Sequence, residues 1–173
     1  ATEMAVDLQK IAKRYPKKRN KKHAPSLPKM KNVRLALNVA SCDGLPLVIA
    51  VGKKPDDIKS LIRKLSEVIW DENLAGKFIY ATTSKAIELE AIDGAKFATG
   101  ILVIAPSEYG LKGKLLTKIG ANASVKKVEK ALLDTAESFQ RTAKSHGSHV
   151  RTGRRNGDTW ETEVPVPERQ RRR

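Results

Sequence analysis

The sequence is poor in the residues that most catalytic and redox sites need. It has one cysteine, Cys42, and three histidines among 173 residues. A single cysteine excludes an intrachain disulfide, a cysteine-rich zinc site and a two-cysteine redox centre within this chain. No glycine-rich phosphate loop, Ser/His/Asp arrangement or paired-carboxylate pattern occurs. We therefore find no visible catalytic machinery and expect no cofactor.

Long apolar runs and metal-ligand clusters are also missing. No apolar run is longer than that of residues 101–105, which is far too short to span a bilayer, so we expect no membrane span. His146 and His149 have a spacing that metal ligands use, but no third cysteine or carboxylate cluster accompanies them. We interpret both histidines as residues of a surface tail and expect no metal site.

Acidic residues are scarce at both ends of the chain. Residues 1–34 carry 11 Lys/Arg and 2 Asp/Glu, residues 35–140 carry 14 and 13, and residues 141–173 carry 9 and 4. These segments contribute +9, +1 and +5 to the formal charge of +15. We predict three parts: a basic N-terminal extension over 1–31 with a short amphipathic helix, a folded domain over 32–140, and an arginine-rich C-terminal extension over 141–173.

Hydrophobic periodicity predicts an α/β order in the nearly neutral middle. Pro55 suits the first position of a helix, and Ser124 is suited to cap the last one. The last two strands are joined by eight residues, which predicts an antiparallel hairpin, whereas helical crossovers make the first three strands mutually parallel. Helices should then cover both faces of one mixed sheet. The predicted elements are strands over 45–51, 78–82, 101–105 and 114–119, and helices over 33–40, 55–69, 84–92 and 125–139.

This element order, with its final hairpin and helix, resembles the thioredoxin fold. The resemblance covers roughly residues 33–139. Residues 33–46 are similar to the helix, short turn and strand entry of thioredoxin-like domains, and residues 113–120 are similar to the last hairpin of the family and the glycine after it. The resemblance implies an α/β fold with a thioredoxin-like, mixed four-stranded sheet flanked by helices.

Both marks of thioredoxin-like redox chemistry are missing from the positions that the resemblance assigns to them. Redox members of the family carry a Cys-x-x-Cys pair where the first strand meets its helix, because the helix N-terminus stabilises the thiolate. They also carry a cis-proline before the third core strand. We interpret this chain as a non-redox scaffold used for binding. The corresponding positions here are Lys53, Lys54, Pro55 and Asp56 at the corner, and Thr99 or Gly100 in place of the proline.

The basic ends are the most informative functional feature. Lysines and arginines that pair with phosphates release counterions and supply affinity without a base-reading motif. We predict a non-catalytic binding or assembly module whose basic extensions engage an anionic partner, RNA or a ribonucleoprotein ahead of an acidic protein surface. The alternative is that these charge runs are solvated tails. The predicted binding residues are Lys17, Lys18, Arg19, Lys21, Lys22, Arg151, Arg154, Arg155, Arg171, Arg172 and Arg173.

Residues 149–164 leave a further possibility. Asn156 and Gly157 stand between two stretches of partial alternation, a pattern that allows an arginine-rich β-hairpin. Trp160 follows Arg154 and Arg155 closely, so its ring could stack on a base, pack on the core or lie loose.

Cys42 supports an alternative function of a different class. No histidine or lysine stands near it in sequence to activate the thiol, and we interpret it as a small residue packed at a helix end. The alternative is a thiol-based redox enzyme or sensor that acts through Cys42 with a partner thiol. The compartment stays open: a cytoplasmic or organellar location is favoured over an exported chain already cleaved before Ala1.

Overall fold

A mixed five-stranded sheet with helices on both faces forms the folded domain. The computed structural model describes residues 6–8, 10, 26–96, 98–140 and 146–157. In chain order the elements are α1 (Val33–Asp43), β1 (Leu47–Val51), α2 (Pro55–Val68), β2 (Ile79–Thr83), a 3-10 turn (Ala86–Leu89), β3 (Ile92–Asp93), β4 (Gly100–Pro106), β5 (Gly113–Ile119), α3 (Val125–Ser138) and α4 (His146–Arg155).

The strand order in the sheet is β2-β1-β4-β5-β3. β1 and β2 are parallel, as predicted, and β4 and β5 form the predicted antiparallel hairpin. Two expectations are wrong. The sheet has five strands instead of four, because the two-residue β3 pairs in parallel with the start of β5. In addition, β4 is antiparallel to β1, so the first three predicted strands are not mutually parallel.

The direction of β4 follows from the connection that precedes it. The predicted helix over 84–92 forms only a single 3-10 turn, and the Thr83 hydroxyl accepts a hydrogen bond from the Lys85 backbone N–H at 3.0 Å. The chain then pairs briefly as β3 and turns at Gly94, whose φ is 79°. Thr83 and Gly100 both lie opposite Val51, so β4 begins at the end of the sheet where β2 finishes. It therefore runs back along β1.

The sheet separates two apolar clusters, which confirms the predicted α/β arrangement. Val48 and Ala50 pack on the side of α2 and α3, while Leu47, Ile49 and Val51 pack on the side of α1. All five residues of β1 are buried, as expected for a strand covered on both faces. The helical side chains that complete the core are Leu61, Leu65 and Val68 from α2, Val128 and Leu132 from α3, and Val33, Ala36, Leu37 and Ala40 from α1.

Side-chain caps fix where two of these helices begin. The Ser124 hydroxyl accepts a hydrogen bond from the Lys127 N–H at 3.3 Å, which confirms the predicted cap of α3. The Asn32 side chain accepts from the Leu35 N–H at 2.7 Å and starts α1. α1 ends at Gly44, which has a left-handed φ of 63°.

Of the N-terminal extension, the structure describes residues 6–8, 10 and 26–31, and residues 6–8 and 10 are helical. Val6 and Leu8 are exposed, with 49% and 59% of their surfaces accessible. These apolar side chains therefore do not add to the core of the domain.

Candidate functional site

The corner between β1 and α2 is held by a local hydrogen bond and contains no thiol. Pro55 is the first residue of α2, and the Asp57 carboxylate accepts a hydrogen bond from the Lys54 backbone N–H at 2.9 Å. Carboxylates at this end of a helix are favoured by the helix dipole. Lys53, Lys54, Pro55 and Asp56 are all exposed. The corner therefore offers two ammonium groups to solvent.

Thr99 lies at the same end of the sheet as this corner. Val51 is opposite Gly100 in the antiparallel pair of β1 and β4, so the residue before Gly100 lies across from Gly52. The described residues contain no cis peptide bond. Gly100 has a φ of 108°, and a Cβ there would overlap the Ile119 carbonyl oxygen, so only glycine fits. The structure thus brings together the corner and Thr99, half-buried beside it.

Cys42 lies at the opposite end of β1. It stands in the last turn of α1, before β1 begins at Leu47, whereas the corner follows Val51. Its side chain is exposed, so the prediction of a packed thiol is wrong. The chain's only cysteine therefore cannot supply a nucleophile to the corner.

The described part of the chain contains neither a cluster of candidate metal ligands nor a helix that could span a membrane. Among residues 6–8, 10, 26–96, 98–140 and 146–157, no three or more His, Cys, Asp or Glu side chains gather as metal ligands would. The helices within these ranges are also too short or too polar to cross a bilayer.

The predicted basic residues divide into those the structure describes and those it does not. Lys17, Lys18, Arg19, Lys21, Lys22 and Arg171 to Arg173 lie outside the described residues. Arg151, Arg154 and Arg155 lie on α4 and are exposed. We call these three side chains the arginine face.

The β-hairpin that the sequence allows over 149–164 does not form in its described part. Residues up to Arg155 form α4, and the Gly157 N–H donates to the Arg154 carbonyl at 3.2 Å. Gly157 has a φ of 75°. The Asn156-Gly157 pair therefore ends a helix instead of connecting two strands, since a left-handed glycine serves either purpose. Trp160 lies outside the described residues.

α4 packs on the β4–β5 loop through a glycine. Gly153 is buried, and a Cβ on it would lie 2.8 Å from Tyr109 Cε1 and 3.2 Å from Tyr109 Cζ. A helix with any larger residue at this position could not approach the tyrosine ring so closely. Gly153 thus marks the side of α4 that faces the domain.

α1 holds the other side of the same loop. The Arg34 guanidinium donates to the Gly110 carbonyl at 2.7 Å, and the buried Ser41 hydroxyl lies 2.9 Å and 2.8 Å from the carbonyls of Ser107 and Glu108. These three hydrogen bonds tie the backbone carbonyls of the loop to α1. Tyr109 is therefore presented to α4 from a loop that is fixed to α1.

Helix geometry directs the arginine face away from this contact. At about 100° per residue, Arg154, Arg151 and Arg155 lie about 100°, 160° and 200° around the axis from Gly153. α4 contains no acidic residue, and Arg154 and Arg155 stand in its last turn, where the helix dipole favours cations. Three guanidinium groups therefore project together from one docked helix.

Sequence reasoning identified the three arginines but not the helix that aligns them. Their i, i+3, i+4 spacing is a helical signal, yet Gly147 and Gly153 lower the helix propensity of α4. The helix is stabilised instead by the contact between Gly153 and Tyr109, two residues that are far apart in sequence. No pattern within residues 146–157 reveals it.

Comparisons of this chain with protein-family models, curated proteins and solved structures find no match.

Proposed function

We propose that this chain is a non-catalytic binding or assembly module, with a thioredoxin-like domain and basic extensions that engage an anionic macromolecule, RNA ahead of an acidic protein surface. The thioredoxin-like assignment is supported by the order of elements from β1 to α3 and by the position of Thr99 next to the corner at Lys53 and Lys54. The non-catalytic assignment is supported by the distance in the fold between that corner and Cys42.

The arginine face carries the proposal. Arg151, Arg154 and Arg155 are exposed on a helix that packs on the domain through Gly153. Arginine is always charged and offers a planar set of donors that matches phosphate and carboxylate oxygens. α4 has no acidic side chain, and the described residues form no ion pair with these three groups, which leaves them accessible to an external anion.

The test is binding of the full chain to a 20-nucleotide oligouridylate, followed by fluorescence anisotropy across a salt series. We expect affinity to fall with rising salt, by about 0.7 in log–log slope for each phosphate contact to a single strand. Two variants measure the contribution of each extension to binding. The first changes to glutamine Lys17, Lys18, Arg19, Lys21 and Lys22. The second changes to glutamine Arg171, Arg172 and Arg173.

Each neutralised cluster should weaken binding and reduce the slope. Binding of neither oligouridylate nor polyglutamate at about 50 mM salt would contradict the proposal, since electrostatic binding is strongest at low salt. Equal affinity of wild type and both variants would remove the two clusters from the binding surface. Tighter binding of polyglutamate than of oligouridylate would make the partner an acidic protein.

A thiol-based redox enzyme or sensor is the second candidate, and the exposure of Cys42 favours it. The position of Cys42 in the last turn of α1 argues against it, because reactive thiolates are stabilised at the opposite, N-terminal end of a helix. Iodoacetamide at neutral pH distinguishes the two functions. A reaction much faster than that of free cysteine supports a thiol function, and a comparable rate removes it.

A further inference from the structure

We propose that the arginine face of α4 binds the sugar-phosphate backbone of a nucleic acid without base specificity, and that the contact between Gly153 and Tyr109 orders this face in advance. The proposal rests on the proposed function, because it assigns the site and the chemistry through which the anionic partner is held. It adds a defined surface of three side chains, Arg151, Arg154 and Arg155.

The dimensions of the arginine face fit a chain of phosphates. Arg151 and Arg155 are one helical turn apart, about 6 Å along the axis at 1.5 Å per residue. A nucleic-acid strand of a duplex presents one phosphate charge per about 3.4 Å of its axis. The three arginines are therefore close enough together to contact neighbouring phosphates of one strand. Phosphate contacts of this kind fix the position of a protein on the strand and carry no sequence information.

The charge around the arginine face favours a repeating anion. Residues 146–157 contain no aspartate or glutamate, and within the described part of the chain Arg151, Arg154 and Arg155 form no ion pair. The chain as a whole has a formal charge of +15. A polyelectrolyte surrounded by condensed counterions gains the most from such a surface, because every neutralised phosphate releases counterions.

The docking of α4 explains why this short helix can present an ordered surface. α4 has 10 residues, including Gly147 and Gly153. Isolated helices shorter than about 12–15 residues are marginal in water, and each interior glycine costs about 1 kcal/mol relative to alanine. Packing of Gly153 on Tyr109 therefore supplies stability that the helix lacks by itself. A helix backbone that is ordered before binding loses less entropy when the ligand arrives.

α3 provides a matched control surface. Lys126, Lys127 and Lys130 are exposed on this helix and carry the same total charge as the arginine face. Glu129 stands among them, and Ser124 caps the helix without help from another element. Neutralising the three lysines changes the net charge of the protein by the same amount, but leaves α4 intact.

The experiment compares three full-length proteins: wild type, Arg151→Gln/Arg154→Gln/Arg155→Gln and Lys126→Gln/Lys127→Gln/Lys130→Gln. Anisotropy with a 20-nucleotide oligouridylate, and separately with polyglutamate, is measured from about 50 mM to about 200 mM salt. Glutamine keeps a helix propensity close to those of arginine and lysine, and circular dichroism checks that each variant is folded. Three lost contacts should lower the log–log salt slope by about 2, so the ratio of wild-type to arginine-variant affinity falls about 20-fold across this range.

The outcomes separate this proposal from the proposed function. Weak, salt-independent binding by wild type contradicts the proposed function itself. Salt-dependent binding that both variants lose equally shows a dependence on net charge alone and overturns the assignment to α4. An arginine variant with the wild-type slope also overturns it. Loss of polyglutamate binding without loss of oligouridylate binding would make the arginine face a site for an acidic protein.

Discussion

The substitution of glycine by alanine should have opposite effects at two positions of α4. At Gly147 a Cβ meets nothing within 4 Å, so alanine should stabilise the helix by up to about 1 kcal/mol. At Gly153 the same methyl group would lie 2.8 Å from the Tyr109 ring, where overpacking costs about 1–3 kcal/mol. The propensity gain offsets part of this cost, so Gly153→Ala should destabilise the docked helix by up to about 2 kcal/mol.

Amide hydrogen exchange of residues 150–156 measures this effect directly. Since 1.4 kcal/mol corresponds to a factor of ten in an opening equilibrium, Gly147→Ala should slow exchange by up to about 5-fold, and Gly153→Ala should speed it by up to about 30-fold. Exchange in β1 and β4 serves as the internal control and should not change. Slower exchange in Gly153→Ala than in wild type would refute the docking of α4 on Tyr109.

Three further predictions concern the domain. Ser124→Ala should lower the free energy of unfolding by about 1 kcal/mol in urea titration through loss of the α3 cap, and Ser138→Ala at the other end should cost less. Burial raises the pKa of Tyr80 above its ordinary value, and its hydroxyl has no hydrogen-bond partner within the described part of the chain. As the pH rises, the tyrosine of the unfolded state therefore ionises before that of the folded state. Above about pH 10 the free energy of unfolding of wild type should fall by about 1.4 kcal/mol per pH unit, whereas that of Tyr80→Phe should not show this loss. At neutral pH Tyr80→Phe should be as stable as wild type or about 1 kcal/mol more stable. Cys42→Ser should leave oligouridylate affinity unchanged in anisotropy, because Cys42 is exposed on α1 and has no part in the arginine face.

Local sequence signals predicted the elements whose stability is mainly local. Pro55 and the apolar spacing after it fix α2, Ser124 fixes the start of α3, and the apolar run before Gly52 gives the buried β1. In each case the signal lies within the element or directly beside it, and the core then selects the same conformation.

The errors in the prediction arise where a contact between distant residues decides the outcome. A helix was expected over 84–92, but the Glu88 carboxylate accepts a hydrogen bond from the Val33 N–H at 3.2 Å, and Ile87 is 66% exposed. These residues form only a single 3-10 turn. After this turn the chain reverses direction, so β4 runs antiparallel to β1. Periodicity carries no information on this choice.

The arginines of the candidate site were predicted from the sequence, but the helix that carries them was not. Arg151, Arg154 and Arg155 stood out through charge, whereas Asn156 and Gly157 indicated a hairpin. Gly157 adopts the left-handed conformation that either structure requires, so the local chemistry is the same in both. The decision in favour of a helix comes from Tyr109, which the sequence gives no reason to connect with Gly153.

A hydrogen-exchange footprint of the full chain with and without oligouridylate tests the central claim most directly. We expect the RNA to slow amide exchange in residues 150–156 of α4, and to leave exchange at the corner of Lys53 and Lys54 and in α3 unchanged. Protection at that corner or in α3 in place of α4 would contradict the account, as would unchanged exchange throughout the chain when the RNA is saturating.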